Sequence, residues 1–84
     1  MPAPLEEIRV TVRLHAELER LSPDRSGIIE LTLPARSTVA VLFRRFDLAG
    51  REAVIAAVNG ELARKDSGLK DGDRVDLVTP MLGG

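Results

Sequence analysis

The apolar residues of this chain change their spacing twice, and that limits the fold more than any other feature. Ile8, Val10, Val12 and Leu14 alternate with Arg9, Thr11, Arg13 and His15. A period of two puts the four apolar side chains on one face of a strand. Ile29, Leu31 and Leu33 repeat the pattern against Glu30 and Thr32 until Pro34 ends it. Val39, Leu42, Phe43 and Phe46 then fall at i, i+3, i+4 and i+7, which is one face of a helix. Val75 and Leu77, set between Arg74 and Asp76, return to a period of two. Neither a one-sided helix nor a one-sided sheet can bury its apolar side alone, so one helix lying across one face of one sheet is predicted.

The stretches between these elements complete the order. "AELERL", with Leu18 and Leu21 three apart, predicts one or two helical turns, and "SPDRSG" predicts a loop. Ser37 stands where the N-cap of a Thr38–Phe46 helix belongs, and Arg44 and Arg45 suit the negative end of its dipole. "REAVIAAV" has helical propensity, but Asn59-Gly60 follows it. Asn-Gly between apolar runs is a strong hairpin signal, because both residues accept a positive φ. Val54–Val58 is therefore expected as a buried strand and Glu61–Arg64 as its short partner. Asp71-Gly72-Asp73 makes the turn into the last strand. The order is strand, strand, helix, strand, strand, strand. No repeat or linker interrupts it, so residues 1–84 are expected to form one domain.

Composition removes several classes of function. The chain has no cysteine, so neither a disulfide framework nor a thiolate metal site is available. Its net charge is −1 with acids and bases interleaved, which argues against a nucleic-acid partner. Phe43 and Phe46, the two aromatics, are both assigned to the helix core, leaving no platform on which bases could stack. No apolar run approaches the roughly 20 residues of a membrane span, and "MPAPLEEIRV" lacks the basic-then-apolar pattern of a signal peptide. A soluble, cytoplasmic protein is expected. Only two of its twelve basic residues are lysines, Lys65 and Lys70, and no function attaches to that bias.

No active site is legible either. His15 is the single histidine and reads as a surface residue without the partner ligands a metal needs. Asp71, Asp73 and Asp76 in "DGDRVD" lack the spacing and closing glutamate of a calcium loop and read as a solvated turn. Ser37 is accounted for as a cap. No nucleophile-and-base pair and no phosphate-cradling glycine loop appears. No catalytic residue, metal or bound cofactor is expected.

The end of the chain is different. It reads "DLVTPMLGG". With glycine at roughly 7% of residues, Gly-Gly would fill the last two positions by chance about 0.5% of the time. Pro80 cannot pair within a central sheet and marks where the chain leaves the strand. Residues 80–84 are expected as an extended, flexible tail, at most about 17 Å long at roughly 3.4 Å per residue. Gly83 and Gly84, without Cβ atoms, can pass a narrow cleft and take any φ a partner imposes. Such an end suits the active site of another protein.

Taken in order, "VNG", a leucine before "DGD", a valine strand, a proline and a final "GG" resemble the MoaD/ThiS family of ubiquitin-like sulfur carriers. The first half is similar too, with an N-terminal strand and then "LTLPARSTVAVLF" as strand, turn and helix. The resemblance runs from Ile8 to the end. It implies an α+β β-grasp fold, a mixed sheet of four to five strands with one main helix packed on one face. It further implies that the protein is a carrier rather than an enzyme, or the small subunit of a synthase complex.

In that family pattern Gly84 is the chemical site. A ubiquitin-activating-like adenylyltransferase adenylates its carboxylate with ATP, and a sulfur donor converts it to a thiocarboxylate. A synthase large subunit then takes the sulfur. Gly83, Leu82, Met81 and Pro80 are the tail that enters the partner, Leu77 and Val78 a surface for it, and the free protein is expected as a monomer. The long first loop is nearer the molybdopterin type of carrier, for molybdenum or tungsten cofactor synthesis. Many carriers of that type have aromatic residues and two prolines before the tail, where this chain has Asp76, Leu77, Val78, Thr79 and the single Pro80. A carrier for thiamine thiazole or another sulfur metabolite, a ubiquitin-like protein modifier, and a regulatory β-grasp binding domain stay open.

Overall fold

The structure, a computed structural model, describes residues 6–48, 50 and 53–80. The elements are β1 (Glu7–Leu14), a 3₁₀ helix (Ala16–Leu21), β2 (Ile28–Pro34), α1 (Val39–Arg45), β3 (Ile55–Val58), β4 (Glu61–Ala63) and β5 (Arg74–Val78). One sheet holds all five strands in the order β2-β1-β5-β3-β4. β1 pairs antiparallel with β2 and parallel with β5, and β3 pairs antiparallel with both β5 and β4. The sheet is thus mixed, with its single parallel pair next to the middle.

The register explains the core. Val10 lies opposite Leu31, Val12 opposite Val75, and Leu14 opposite Leu77, which in turn lies opposite Ala56. Directly paired residues point to the same face of a sheet, so these side chains form one apolar layer, and all of them are buried. Val39, Leu42 and Phe43 of α1, followed by Phe46 and Leu48, join that same cluster. The change from a period of two to 3.6 and back is therefore the change from sheet to covering helix. No described helix is long and apolar enough to cross a membrane.

Two local expectations are corrected. Ser37 is not the N-cap of α1. That position falls to Thr38, which makes no side-chain cap bond, while the Ser37 hydroxyl donates to the Pro34 carbonyl at 2.6 Å. The orphan N–H groups of the first helical turn find backbone partners instead. Val39 N–H donates to the Ser67 carbonyl (3.0 Å) and Ala40 N–H to that of Lys65 (2.9 Å). The connection from β4 to β5 caps the helix, a contact that exists only once the chain has folded back.

Val54–Val58 is not buried throughout. Val54 and Ala56 are buried, but Ile55 on the opposite face is 40% exposed. Both faces carry apolar residues, so the alternation was invisible in the sequence. The Asn59-Gly60 turn forms as expected, at φ 52° and 88°. Asn59 also ties the hairpin to the last strand. Its Oδ1 accepts from Arg74 N–H, and its Nδ2 donates to Asp73 Oδ1, both at 2.9 Å.

The loop after the 3₁₀ helix closes on one glycine. Gly27, at φ +82°, accepts from Leu14 N–H and donates its own N–H to Ser22 Oγ at 3.0 Å. Within the same loop the Ser26 backbone N–H and hydroxyl hold the Asp24 carboxyl below its usual range. A Cβ on Gly27 would sit 2.7 Å from the Leu14 carbonyl oxygen and 2.9 Å from Glu19 Cγ, whereas one on Gly60 would meet nothing within 4 Å. Both positions have positive φ, so either alanine strains the backbone by about 1 kcal/mol. Gly27→Ala should cost clearly more than Gly60→Ala in urea unfolding, because only the first also collides with backbone. In the same assay Phe43→Ala should cost about 3–5 kcal/mol, as expected for a fully buried aromatic.

Candidate functional site

The site begins where β5 ends. β5 is the middle strand of the five, held by β1 on one side and β3 on the other. Val75 and Leu77 face the core and are both 0% exposed. Leu77 is therefore not available as a partner surface. Its place between Leu14 and Ala56 in the register buries it under the helix. Val78, one residue on, lies on the other face and is half-buried.

That open face carries an apolar strip. Val78 lies opposite Ile55, and Ala57, two residues along β3, lies opposite Leu62 of β4. Ile55 is 40% and Leu62 77% exposed. The strip therefore flanks the point at which the chain leaves the sheet. Ile55, Ala57 and Leu62 escaped sequence reasoning because "VIAAV" reads as a uniformly apolar run and Leu62 stands alone between Glu61 and its neighbours. Only the strand register separates the two faces.

Thr79 and Pro80 follow Val78, and Pro80 is half-buried. Thr79 Oγ1 is the one buried side-chain polar atom without a hydrogen-bond partner among the described residues. Met81, Leu82, Gly83 and Gly84, the tail positions expected to enter a partner, lie outside the described residues.

The acidic turn is more ordered than its sequence implied. Asp71 Oδ1 accepts from Arg9 N–H and Asp73 Oδ2 from Lys70 N–H, both at 2.8 Å. Asp76 Oδ1 lies 2.8 Å from His15 Nε2 on the open face, so the single histidine has a hydrogen-bonding partner in the fold. Each carboxylate thus has a structural partner. Among the described residues no group of three or more His, Cys, Asp or Glu side chains could hold a metal ion.

A mixed five-stranded sheet with one helix packed on one face, and a chain end leaving the middle strand, defines the ubiquitin-like β-grasp class. The solved structures agree. The small archaeal modifier protein 1 of Haloferax volcanii superposes with a TM-score of 0.73 at 18% identity, over 88% of this chain and 99% of that one. A Pyrococcus furiosus protein named for molybdopterin converting factor subunit 1 gives 0.72 at 25% identity, over 88% and 99%. The ThiS family model matches residues 12–84, and the chain belongs to the ThiS family of ubiquitin-like sulfur carriers. A UPF0125 protein of Chromobacterium violaceum is 30% identical over 79 residues, which is 87% of this chain and 79% of that relative.

The division between core and open face has a direct check. Leu77→Ala should lower stability by about 2–5 kcal/mol in urea unfolding, as for other buried leucines. Leu62→Ala should change it by less than about 0.5 kcal/mol, as for an ordinary surface position. Breaking the half-exposed His15–Asp76 pair with Asp76→Asn should cost less than about 1 kcal/mol.

Proposed function

We propose that this protein carries sulfur on its C-terminal glycine. The observation that carries the reading is the extent of the family match, which spans residues 12–84 and so takes in Gly83 and Gly84. The path of β5 supports it, because the strand ends at Val78 and Pro80 offers no N–H to extend the ladder. The body of the protein then serves as a handle, and the chemistry happens on the tail inside a partner.

A carboxylate resists nucleophiles because its leaving group would be an oxide. On a ubiquitin-activating-like adenylyltransferase, a Gly84 carboxylate oxygen attacks the α-phosphorus of ATP. Pyrophosphate leaves and an acyl-adenylate forms. Sulfide then attacks the carbonyl carbon and expels AMP, leaving a thiocarboxylate. With a persulfide donor the first product is an acyl disulfide, and a second thiol must cleave its S–S bond to release the thiocarboxylate. Cysteine is absent from the chain, so sulfur rides on the main-chain end. Met81 and Leu82 are the anchors entering the partner, each contributing roughly 1.5–3 kcal/mol if fully buried there. Val78, Ile55 and Leu62 form the contact surface at the tail's root, in place of Leu77.

The acceptor we favour is a synthase large subunit of molybdopterin synthesis, supported by the 25% identity to the Pyrococcus furiosus protein over nearly its whole length. A thiazole synthase of thiamine synthesis is the second reading, supported by the family model itself. Thiocarboxylated protein offered separately to each synthase with its own precursor distinguishes them, since only the true acceptor regenerates the Gly84 carboxylate. The likeness to archaeal modifiers is one of fold and does not by itself favour conjugation to lysines.

With ATP, sulfide and the activating enzyme, intact mass spectrometry should show one oxygen replaced by sulfur on the wild type. Gly84→Ala should slow this strongly. A chain extended by one residue should not react, because reacting atoms must approach to about 3–3.5 Å and one residue moves the end by up to about 3.4 Å. Sulfur gained by the extended chain without trimming would refute the proposal. Met81→Asp with Leu82→Asp should weaken binding to the activating enzyme while circular dichroism stays unchanged.

A further inference from the structure

Between α1 and the β3–β4 hairpin lies a groove of about 430 Å³ whose outer edge, at Ile55 and Leu62, adjoins the strip on the open face. Its floor is apolar, with Val39 and Phe43 from the helix and Val54, Ala56 and Ala63 from the hairpin side. Its rim carries Arg64 and Lys65. Ile55 and Leu62, two of the three exposed large hydrophobics among the described residues, also border it. We infer that this groove docks a segment of a partner protein that presents one large apolar side chain flanked by carboxylates.

Three observations select that occupant. First, β4 is a three-residue edge strand, and its central residue is a 77% exposed leucine. Sheet edges are commonly protected by charge, so an exposed leucine there marks a contact surface. Second, the rim is built rather than loose. The Lys65 carbonyl accepts from Ala40 N–H in the first turn of α1. Arg64 N–H donates to Ser67 Oγ, and Ser67 N–H donates back to the Arg64 carbonyl, each at 2.9 Å. The Lys65 ammonium lies 5.2 Å from the centre of the Phe43 ring, directly over the groove floor.

Third, the rim charges have one sign. Neither Arg64 nor Lys65 has an ion-pair partner among the described residues. A wholly apolar partner would take both cations out of water with nothing to compensate them, and a basic partner would repel them. Carboxylates on either side of the inserted side chain satisfy both cations while the apolar group covers the floor. The volume is within the roughly 300–1,000 Å³ of sites that accept a ligand of this size.

The test needs no activating enzyme, so its outcome is independent of the sulfur chemistry. The ¹⁵N-labelled full-length protein is titrated with the blocked hexapeptide acetyl-Glu-Asp-Leu-Phe-Asp-Glu-amide, and separately with acetyl-Lys-Arg-Leu-Phe-Arg-Lys-amide. The acidic peptide should give saturable shifts at Phe43, Ala56, Ala63 and Lys65 and bind at least about fivefold more tightly than the basic one, the scale of two exposed ion pairs. The Arg64→Glu/Lys65→Glu variant should reverse the preference. Leu62→Ala should weaken binding with the rest of the spectrum unchanged.

Absence of saturable shifts, equal affinity for both peptides, or an unchanged preference in the double variant would each overturn the inference. So would groove shifts in peptide-free protein that depend on its own concentration, which would make the occupant a second copy. Groove shifts on removing residues 81–84 from peptide-free protein would make it this chain's own tail, with the same consequence.

Discussion

Everything in this fold depends on the parallel pairing of β1 with β5. It sets Thr11–Leu14 beside Arg74–Leu77, so the first and last strands of the chain meet in the interior of one sheet. Val12, Val75 and Leu77 in this seam are wholly buried. The pairing closes a long loop, whose entropy must be offset by the apolar contacts made on closure. All that lies between the two strands, including β2, α1 and the β3–β4 hairpin, is then obliged to fold around that seam. It also puts the end of β5 between β1 and β3, so the chain leaves for its tail from the middle of the sheet rather than from an edge.

That exit explains the division between the two faces. Among the described residues the helix side is a core of apolar side chains. The other side mixes ordered charge with apolar residues. His15 and Asp76 pair there, while Val78, Ile55, Ala57 and Leu62 form a strip beside the tail's root. Exposed apolar side chains are ordinary when scattered and informative when contiguous. Here they gather around the end of β5 and along the β4 edge.

The connection between β4 and β5 has a role that its composition conceals. "RKDSGLKDGD" looks like a charged loop, yet Lys65 and Ser67 carbonyls cap α1, Leu69 N–H donates to the Ser37 carbonyl, and Leu69 is buried. Local rules assigned the cap to the nearest hydroxyl. Tertiary structure offered backbone carbonyls instead, and the Ser37 hydroxyl turned to Pro34. A seven-residue helix has little stability of its own, so its position is set by what it covers and what caps it.

The strands, the helix and their order were legible in the sequence, because a half-buried strand and a one-sided helix must repeat apolar residues at periods of two and 3.6. The Asn59-Gly60 turn was legible as well, since few residue pairs tolerate two positive φ values. The motif order ending in Gly-Gly was enough to point to the family. Which residues of β3 face outward was not legible, because "VIAAV" is apolar on both sides. In β5 the alternation of Val75 and Leu77 with Arg74 and Asp76 already put Leu77 on the apolar face, against its reading as a partner surface. Pairing with Leu14 and Ala56 buries it, and Val78 on the opposite face lies beside Ile55. The cap on α1, the His15–Asp76 pair and the cationic rim over Phe43 were equally out of reach. Each joins residues far apart in the chain, and a sequence states only local preference, whereas such contacts come into being when the β1–β5 seam closes.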